Sequence, residues 1–381
     1  MNQPWVGLNL SPLSWPKRTG ISSYVGQLLK SYRESPERSA ALACFLHSRH
    51  RSAKAALEAE AGRPVRSSRL PEKALFRLSR LPGWRPAGMG GLRVYHETSL
   101  YPAPVPSSCA MIYTLYDVLP LVRADWYSPF AVREYKVAFG RAARRADRII
   151  VQSQAARADA LEAAPALETK LEAIPNGVNL AEFRPDIPEA EVAAALAALG
   201  LERPYILFTG AIQPRKNVDG LLKAFLSLIA EIPHTLVLAG PLGWRGEEIT
   251  AGISTEPGPA RVRHIGFVPA PLLPALYRGA DLYVFPSRGE GFGLTVLEAM
   301  AGGVPVVASS VSATAETAGD AALLVHPDDG EGLAAAMRRG LEDQDLRRGL
   351  IAKGLARARE FSWSRTADMT WDLYRSMKEP A

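Results

Sequence analysis

Two carboxylates eight positions apart, Glu290 and Glu298, lie in "PSRGEGFGLTVLEAMAGGVPVVAS", residues 286–309. The apolar run 282–285 before them reads as a strand, and a helix starts near Leu294. Between the two, Gly289, Gly291 and Gly293 let the backbone turn closely. A helix N-terminus offers unbonded N–H groups to an anion, so 291–294 is read as a phosphate cradle. Glu298, just over one turn into the helix, can accept hydrogen bonds from ribose hydroxyls. Glu290, before the turn, is placed to face a cleft. The competing view is a capping glutamate and a solvent-facing one. A dinucleotide fingerprint, G-x-G-x-x-G, is excluded: the third glycine position is Leu294. The acid expected about twenty residues on is also missing, since "VPVVASSVSA" supplies only hydroxyls.

Other groups with usable chemistry lie upstream. In "FTGAIQPRKNVDGLLKAF", Gly210 ends a strand and Arg215 and Lys216 sit in the loop before a helix. A forked guanidinium beside an ammonium suits a diphosphate, although adjacent basic residues are also common on surfaces. The Gly20 loop in "KRTGISSY" opens the first long helix and can add backbone amides, or be an ordinary turn. Asp117 in "YTLYDVLPL" and His96 in "VYHETSLYP" each close an apolar strand, where a polar side chain either meets a cleft or serves structure.

These residues need elements to hold them. Apolar runs at 5–10, 42–46, 94–96, 110–115 and 149–152 read as strands. Helical patterns at 21–32 and 128–145 lie between them, the second with Ser128 as N-cap and Pro129 in the first turn. "IPNGVNLAEFRPDIPEA", with three prolines and an Asn-Gly, breaks the pattern, and an Ala-rich helix follows to Gly200. It restarts with "YILFTG", a helix over 217–231, and strands near 235–239, 263–267, 282–285, 305–308 and 322–325. Alternating strands and helices predict parallel, doubly wound sheets, hence an α/β chain with two such domains. Ligands of such sheets bind at the carboxyl ends of the strands.

Bulk properties set limits. With 381 residues, 47% hydrophobic and 22% charged, the chain is long enough for two globular domains. No apolar run approaches the ~18 residues of a bilayer span, and the start, Met1-Asn-Gln-Pro, lacks signal-peptide character. Two cysteines, Cys44 and Cys109, are too few for a disulfide framework or a cysteine zinc cluster. A cytoplasmic location is expected. The formal charge of +6 is mild, and no nucleic-acid partner is expected. Its distribution is uneven: Arg63, Arg66, Arg69, Lys73, Arg77, Arg80, Arg85 and Arg93 face one acid, Glu72, with Leu75, Phe76, Leu78, Leu81 and Trp84 interleaved. Such a stretch either settles on an anionic membrane surface or is a solvated loop over the first core.

Together these segments resemble the family 4 glycosyltransferases, retaining enzymes of the GT-B fold. The E-x7-E signature, Glu290 to Glu298, is the most specific element. It is backed in order by the Gly20 loop, "ADRIIVQSQAAR", "IPNGVN", "GAIQPRKN", "LAGPLGW", "HIGFV" and "LYRGADLYVFPS". The flavour is that of the mannosyltransferase-like branch building bacterial surface polysaccharides. The resemblance implies two Rossmann-like domains facing a cleft. The acceptor-side domain would cover 1–182 and be completed by a carboxy-terminal helix, 362–381. A linker and helix, 183–199, would lead to a nucleotide-sugar domain, 200–361. It further implies that Arg215, Lys216 and the amides of Gly293 and Leu294, with Gly20, hold the donor diphosphate. Glu290, Gly291 and Phe292 would meet the donor sugar, Glu298 the ribose, and Phe267 and Val268 the nucleobase edge. No metal or other cofactor is implied. A GDP-sugar carrying mannose or a deoxyhexose is the favoured donor, with UDP-sugars open. A lipid-linked or saccharide acceptor is expected at the inner membrane face.

Two departures from the family pattern stand out. Where this branch has His-Asp after a strand, this chain has Tyr116-Asp117. Either the Tyr116 phenol fills the space or His96 takes part of that role. A tyrosine with a pKa near 10 does not replace a histidine base at neutral pH. Catalytic candidates are therefore Glu290, Asp117, Tyr116 and His96. Ser22 and Ser23 stand where relatives often carry Gly-Arg. A sugar-nucleotide epimerase of the same fold and a catalytically silent binding protein are the rival readings.

Overall fold

The computed structural model describes residues 3–15, 19–47, 51–68, 70, 72–78, 89–251 and 261–377. The chain divides into two units. One comprises Met1–Ala124, Pro129–Gly177 and Trp363–Ala381, the other Asp125–Ser128 and Val178–Ser362. The first therefore ends at Gly177, a few residues before the boundary expected from sequence, and regains the chain at Trp363.

In chain order the first unit contains β1 (Val6–Asn9), α1 (Gly20–Glu34), β2 (Leu42–His47), β3 (Val65–Ser68), α2 (Glu72–Leu78), β4 (Val94–Glu97), β5 (Ala110–Thr114), α3 (Pro129–Arg145), β6 (Arg148–Val151) and β7 (Leu171–Ala173). Its sheet runs β3-β2-β1-β4-β5-β6-β7 among the described residues, and every pairing is parallel. β1, β2 and β4 are buried along their whole length, as expected for central parallel strands covered on both faces. The outermost strands differ. β3 reads "VRSS" and buries only its first residue, and β7 reads "LEA". Edge strands bury less, so neither carries an apolar run, and neither was anticipated from sequence. A helix at Arg51–Ala61 and α2 were likewise not anticipated.

The second unit contains β8 (Tyr205–Thr209), α4 (Val218–Leu228), β9 (Thr235–Ala239), β10 (Val262–Gly266), β11 (Leu282–Phe285), α5 (Leu294–Ala301), β12 (Val306–Ser309) and β13 (Leu323–Val325). Its sheet runs β10-β9-β8-β11-β12-β13, again parallel throughout. The chain leaves β8 toward β9 and β10, then returns to β11 on the other side of β8. That reversal opens a crevice beyond the carboxyl ends of β8 and β11, the usual ligand position in such sheets.

The last helix, α6 (Trp363–Ser376), belongs to the first unit. Its Trp371 ring lies 5.1 Å from Tyr32 of α1 and 5.7 Å from Trp5, and Trp371 and Tyr374 are both essentially unexposed. Large aromatic rings at one face of a short helix give enough buried area to seat it.

Candidate functional site

Two loops meet at the reversal point of the second sheet. After β8 come Gly210 and a short turn, Pro214–Lys216. Asn217 then caps α4 in a left-handed conformation, φ 56°, held by Nδ2 donating to Pro327 O at 2.6 Å. After β11, residues 286–293 run into α5. Three hydrogen bonds stitch the loops together. Arg288 N–H donates to Arg215 O (2.8 Å), Arg288 Nη1 to Pro214 O (2.8 Å) and Arg215 Nη1 to Gly289 O (2.5 Å).

This stitching brings Glu290 onto both cations. Its Oε2 lies 2.8 Å from Arg215 Nη1 and its Oε1 2.7 Å from Lys216 Nζ. Ser287 Oγ donates to the same Oε1 at 2.5 Å, and Lys216 Nζ sits 4.6 Å from the centre of the Phe285 ring. Burial works to raise the Glu290 pKa, but the Arg215 and Lys216 charges and the hydrogen bonds from Lys216 and Ser287 outweigh it. The carboxyl is held at about 2 and is ionised at any physiological pH. Its backbone is fixed by Ser312, whose Oγ donates to Glu290 O (2.8 Å) and accepts from Glu290 N–H (3.0 Å). Ser312 does this from φ 61°, a conformation a side chain adopts only under constraint.

The turn into α5 passes through Gly293 at φ 101°, a value that suits only glycine. Leu294 is the first helical residue, so the amides at 293 and 294 lie at the helix start, beside the Glu290 loop. Glu298, farther along α5, accepts from Tyr277 Oη at 3.0 Å. Tyr277 Oη and Tyr283 Oη in turn lie 2.6 and 2.9 Å from Thr209 Oγ1 on β8. Burial pushes the Glu298 carboxyl up to about 7; the Tyr277 hydrogen bond opposes this and Glu182 adds to it. The two glutamates thus sit in opposite regimes, one locked as an anion and one poised near neutrality.

Two side chains depart from the sequence expectation. Phe292 turns inward, 7% exposed and 5.8 Å from the Phe361 ring, so that position offers its backbone and not its ring to a sugar. Val268 is 5% exposed and part of the core, while Phe267 beside it is 43% exposed. Of the nucleobase-edge pair, only Phe267 presents a side chain. Gly291 lies in the turn as expected, half-buried.

The first-unit candidates are placed differently. His96 is fully buried, with Nδ1 2.5 Å from Tyr374 Oη and Nε2 2.6 Å from Thr114 Oγ1. Burial drives its pKa down to about 3, so it is neutral, and its ring nitrogens are engaged with Tyr374 of α6 and Thr114 of β5. This argues against His96 as a catalytic residue and against the expectation that it takes part of the missing histidine's role. Tyr116 donates its hydroxyl to Thr98 O at 2.9 Å and stands edge-on to Tyr24. Asp117 accepts from Leu119 N–H at 3.2 Å, the pattern of a turn residue. Gly20 is exposed at the start of α1, where Thr19 caps the helix and Ser22 Oγ donates to Pro12 O at 2.8 Å.

Sequence reasoning missed Ser287, Arg288 and Ser312, and in the first unit Glu97. That carboxylate, unexposed at the end of β4, accepts from Asn9 Nδ2 (2.5 Å), Ser99 N–H and Oγ (both 2.9 Å) and Ala103 N–H (2.9 Å). It pins the 97–103 loop to the end of β1. Among the described residues no group of three or more His, Cys, Asp or Glu is arranged to hold a metal ion.

Residues 203–343 match the model of the family described as Glycosyl transferases group 1. The chain is similar to O-antigen chain mannosyltransferase B of Escherichia coli, 38% identical over 173 residues, 45% of each chain. It is also similar to D-inositol 3-phosphate glycosyltransferase of Salinispora tropica, 36% identical over 245 residues, 60% of this chain and 51% of that one. It thus spans about half the length of these curated relatives. Among solved structures it resembles Anabaena HepE in complex with UDP and glucose: TM-score 0.72, 17% identity, 98% of this chain and 100% of that one. At that identity the likeness concerns the fold, which is of the GT-B glycosyltransferase type.

Proposed function

We propose that the chain, whose residues 203–343 match the Glycosyl transferases group 1 model, moves a hexose from a sugar nucleotide to a saccharide or lipid-linked acceptor, with retention at the anomeric carbon. The observation that carries this is the buried Arg215–Lys216–Glu290 cluster beside the start of α5. Breaking the bond between sugar and phosphate leaves negative charge on the departing nucleoside diphosphate. Arg215 and Lys216 are fixed where such charge would develop, and fixed cations in a poorly solvated site stabilise it strongly. The amides at Gly293 and Leu294 add donors. Glu290 is placed for the sugar hydroxyls and Glu298 for the ribose. The chemistry needs no metal ion in this proposal. Mannose or a deoxyhexose carried on GDP remains the favoured donor, and assembly of bacterial surface polysaccharide the favoured setting; the mannose and the setting are in keeping with the name of the Escherichia coli relative, O-antigen chain mannosyltransferase B. The UDP-bound neighbour makes UDP-sugars the first alternative to test.

The ribose role gives a pH signature. Only the carboxylate form of Glu298 accepts from both ribose hydroxyls, and its carboxyl titrates near pH 7. Nucleoside diphosphate affinity should therefore tighten as pH rises toward 7, by up to about tenfold per unit below the pKa, and level off above it. Calorimetry on Glu298→Gln separates this from titration of the phosphate, which both proteins share. Identical pH profiles for the two would remove Glu298 from the ribose site.

Membrane contact is the other part of the proposal, and it moves to a new surface. Leu75 and Phe76, which the membrane reading of this stretch would turn to lipid, are buried; Arg69, Arg80, Leu81, Trp84 and Arg85 lie outside the described residues. Exposed apolar groups lie on α3, where Phe130 is 69% and Val137 42% exposed. Arg133, Lys136 and Arg144 are exposed on the same helix, and Lys73 and Arg77 on α2. α2 is held alongside by Arg141, whose guanidinium lies 4.0 Å from the centre of the Phe76 ring. Glu134, an acid of α3, is paired with Lys73 at 3.1 Å. Cations around exposed apolar side chains fit an anionic bilayer surface, each worth about 1 kcal/mol there. Among the described residues no helix is long and apolar enough to cross a membrane. Phe130→Glu should cut co-sedimentation with phosphatidylglycerol vesicles about tenfold. Equal sedimentation of the two proteins would rule this face out.

A further inference from the structure

The Glu290 carboxylate also bears on the nucleotide, through the two cations it touches. Arg215 and Lys216 are nearly buried, their side chains 12% and 11% exposed. Bulk water therefore screens them little, and their N–H groups must be matched by fixed anions or acceptors. The Glu290 carboxylate supplies that match: one oxygen on each cation, with Ser287 Oγ steering the oxygen that faces Lys216. Arg215 Nη1 spends a further hydrogen bond on Gly289 O at 2.5 Å, in the same loop. Ser312 grips the Glu290 backbone from both its N–H and its carbonyl, which holds this loop position beside the two cations.

A diphosphate is also an oxyanion, and it seeks the same charged N–H donors. With Glu290 ionised, the cluster offers one net positive charge; with a neutral side chain at that position it would offer two. We infer that the Glu290 carboxylate competes with the nucleoside diphosphate for Arg215 and Lys216, and so promotes release of the spent nucleotide. This rests on the sugar-nucleotide reading above and adds a second task to a residue placed for the sugar. While sugar and diphosphate are joined, the sugar hydroxyls occupy the carboxylate and the competition is muted. Once the sugar has left, the carboxylate is free to reclaim the cations.

The sign of the expected effect is unusual for a residue at a reacting centre. Neutralising it should weaken transfer yet tighten product binding. The experiment is calorimetric titration of GDP and UDP into the full chain as wild type, Glu290→Gln and Glu290→Ala. Gln preserves shape and Ala removes the side chain, so a folding defect in one leaves the other, with cooperative melting as the check. Both variants should bind whichever nucleotide the wild type binds about tenfold more tightly, with slower dissociation, and the difference should shrink as salt is raised. A wild type that binds, with both folded variants binding equally or more weakly, overturns this inference alone. Binding of neither nucleotide by any of the three chains overturns the sugar-nucleotide reading, and this inference falls with it.

Discussion

Replacing Lys216 with alanine is expected to lower kcat by about 10²–10³-fold, the scale of losing one fixed charge-stabilising donor. Lys216 is 9% exposed, and its ammonium lies over the Phe285 ring, 2.7 Å from a carboxylate oxygen. Water cannot substitute well for it there. Charge on the leaving diphosphate grows as the bond to the sugar breaks, so the interaction is stronger in the transition state than in the bound donor. The donor KM should therefore rise less than kcat falls. Steady-state assay of nucleoside diphosphate release reads both constants. Lys216→Arg should recover only part of the loss, because a planar fork does not reproduce a compact ammonium held against a ring. Unchanged turnover in Lys216→Ala would take this lysine out of the chemistry.

The second large effect is on stability. Gly240→Ala is expected to lower the free energy of unfolding by about 3 kcal/mol or more. A Cβ there would lie 2.0 Å from Gly210 O and 2.5 Å from Gly210 C. Both are backbone atoms and cannot swing aside. Gly210 N–H is bonded to Ala239 O and Gly240 N–H to Gly266 O, so three strand ends are laced together at this point. Pushing Gly210 away also displaces the loop that carries Arg215 and Lys216, and nucleotide affinity should fall in the same variant. Gly266→Ala is the control. Gly266 has φ 68° but nothing within 4 Å of an added Cβ, so only the left-handed conformation is penalised, about 1–2 kcal/mol. Denaturant unfolding of both variants checks this. Equal costs at the two sites would mean the close approach of the backbones is not what Gly240 serves.

The parts of the molecule legible in its sequence are those whose cause is local. β4, β8 and β11 are continuous apolar runs because central parallel strands are covered on both faces, and each was read within a residue or two. β3 and β7 escaped because edge strands need no such run. Glu290, Arg215 and Lys216 were found as separate motifs, and the sheet reversal between β8 and β11 explains why they meet. Their ion pairs were not foreseen, since the partners lie far apart in sequence, Lys216 and Glu290 by 74 residues. Ser312 was noticed only as a hydroxyl where an acid would have signalled a dinucleotide site; its grip on the Glu290 backbone depends on a fold. Glu97 was passed over beside His96 because its partner Asn9 lies 88 residues away. His96 misled for the same reason in reverse. A histidine at a strand end looks available until a tyrosine from α6, 278 residues later, is seen closing on its ring.

The most direct test of transfer itself is nucleoside diphosphate release from a panel of GDP- and UDP-sugars, with and without membrane lipid acceptors. The chain should release one nucleoside diphosphate only when acceptor is present, and the product linkage should keep the donor's anomeric configuration. Acceptor-independent release with a rearranged free sugar, or no release from any donor, would contradict it.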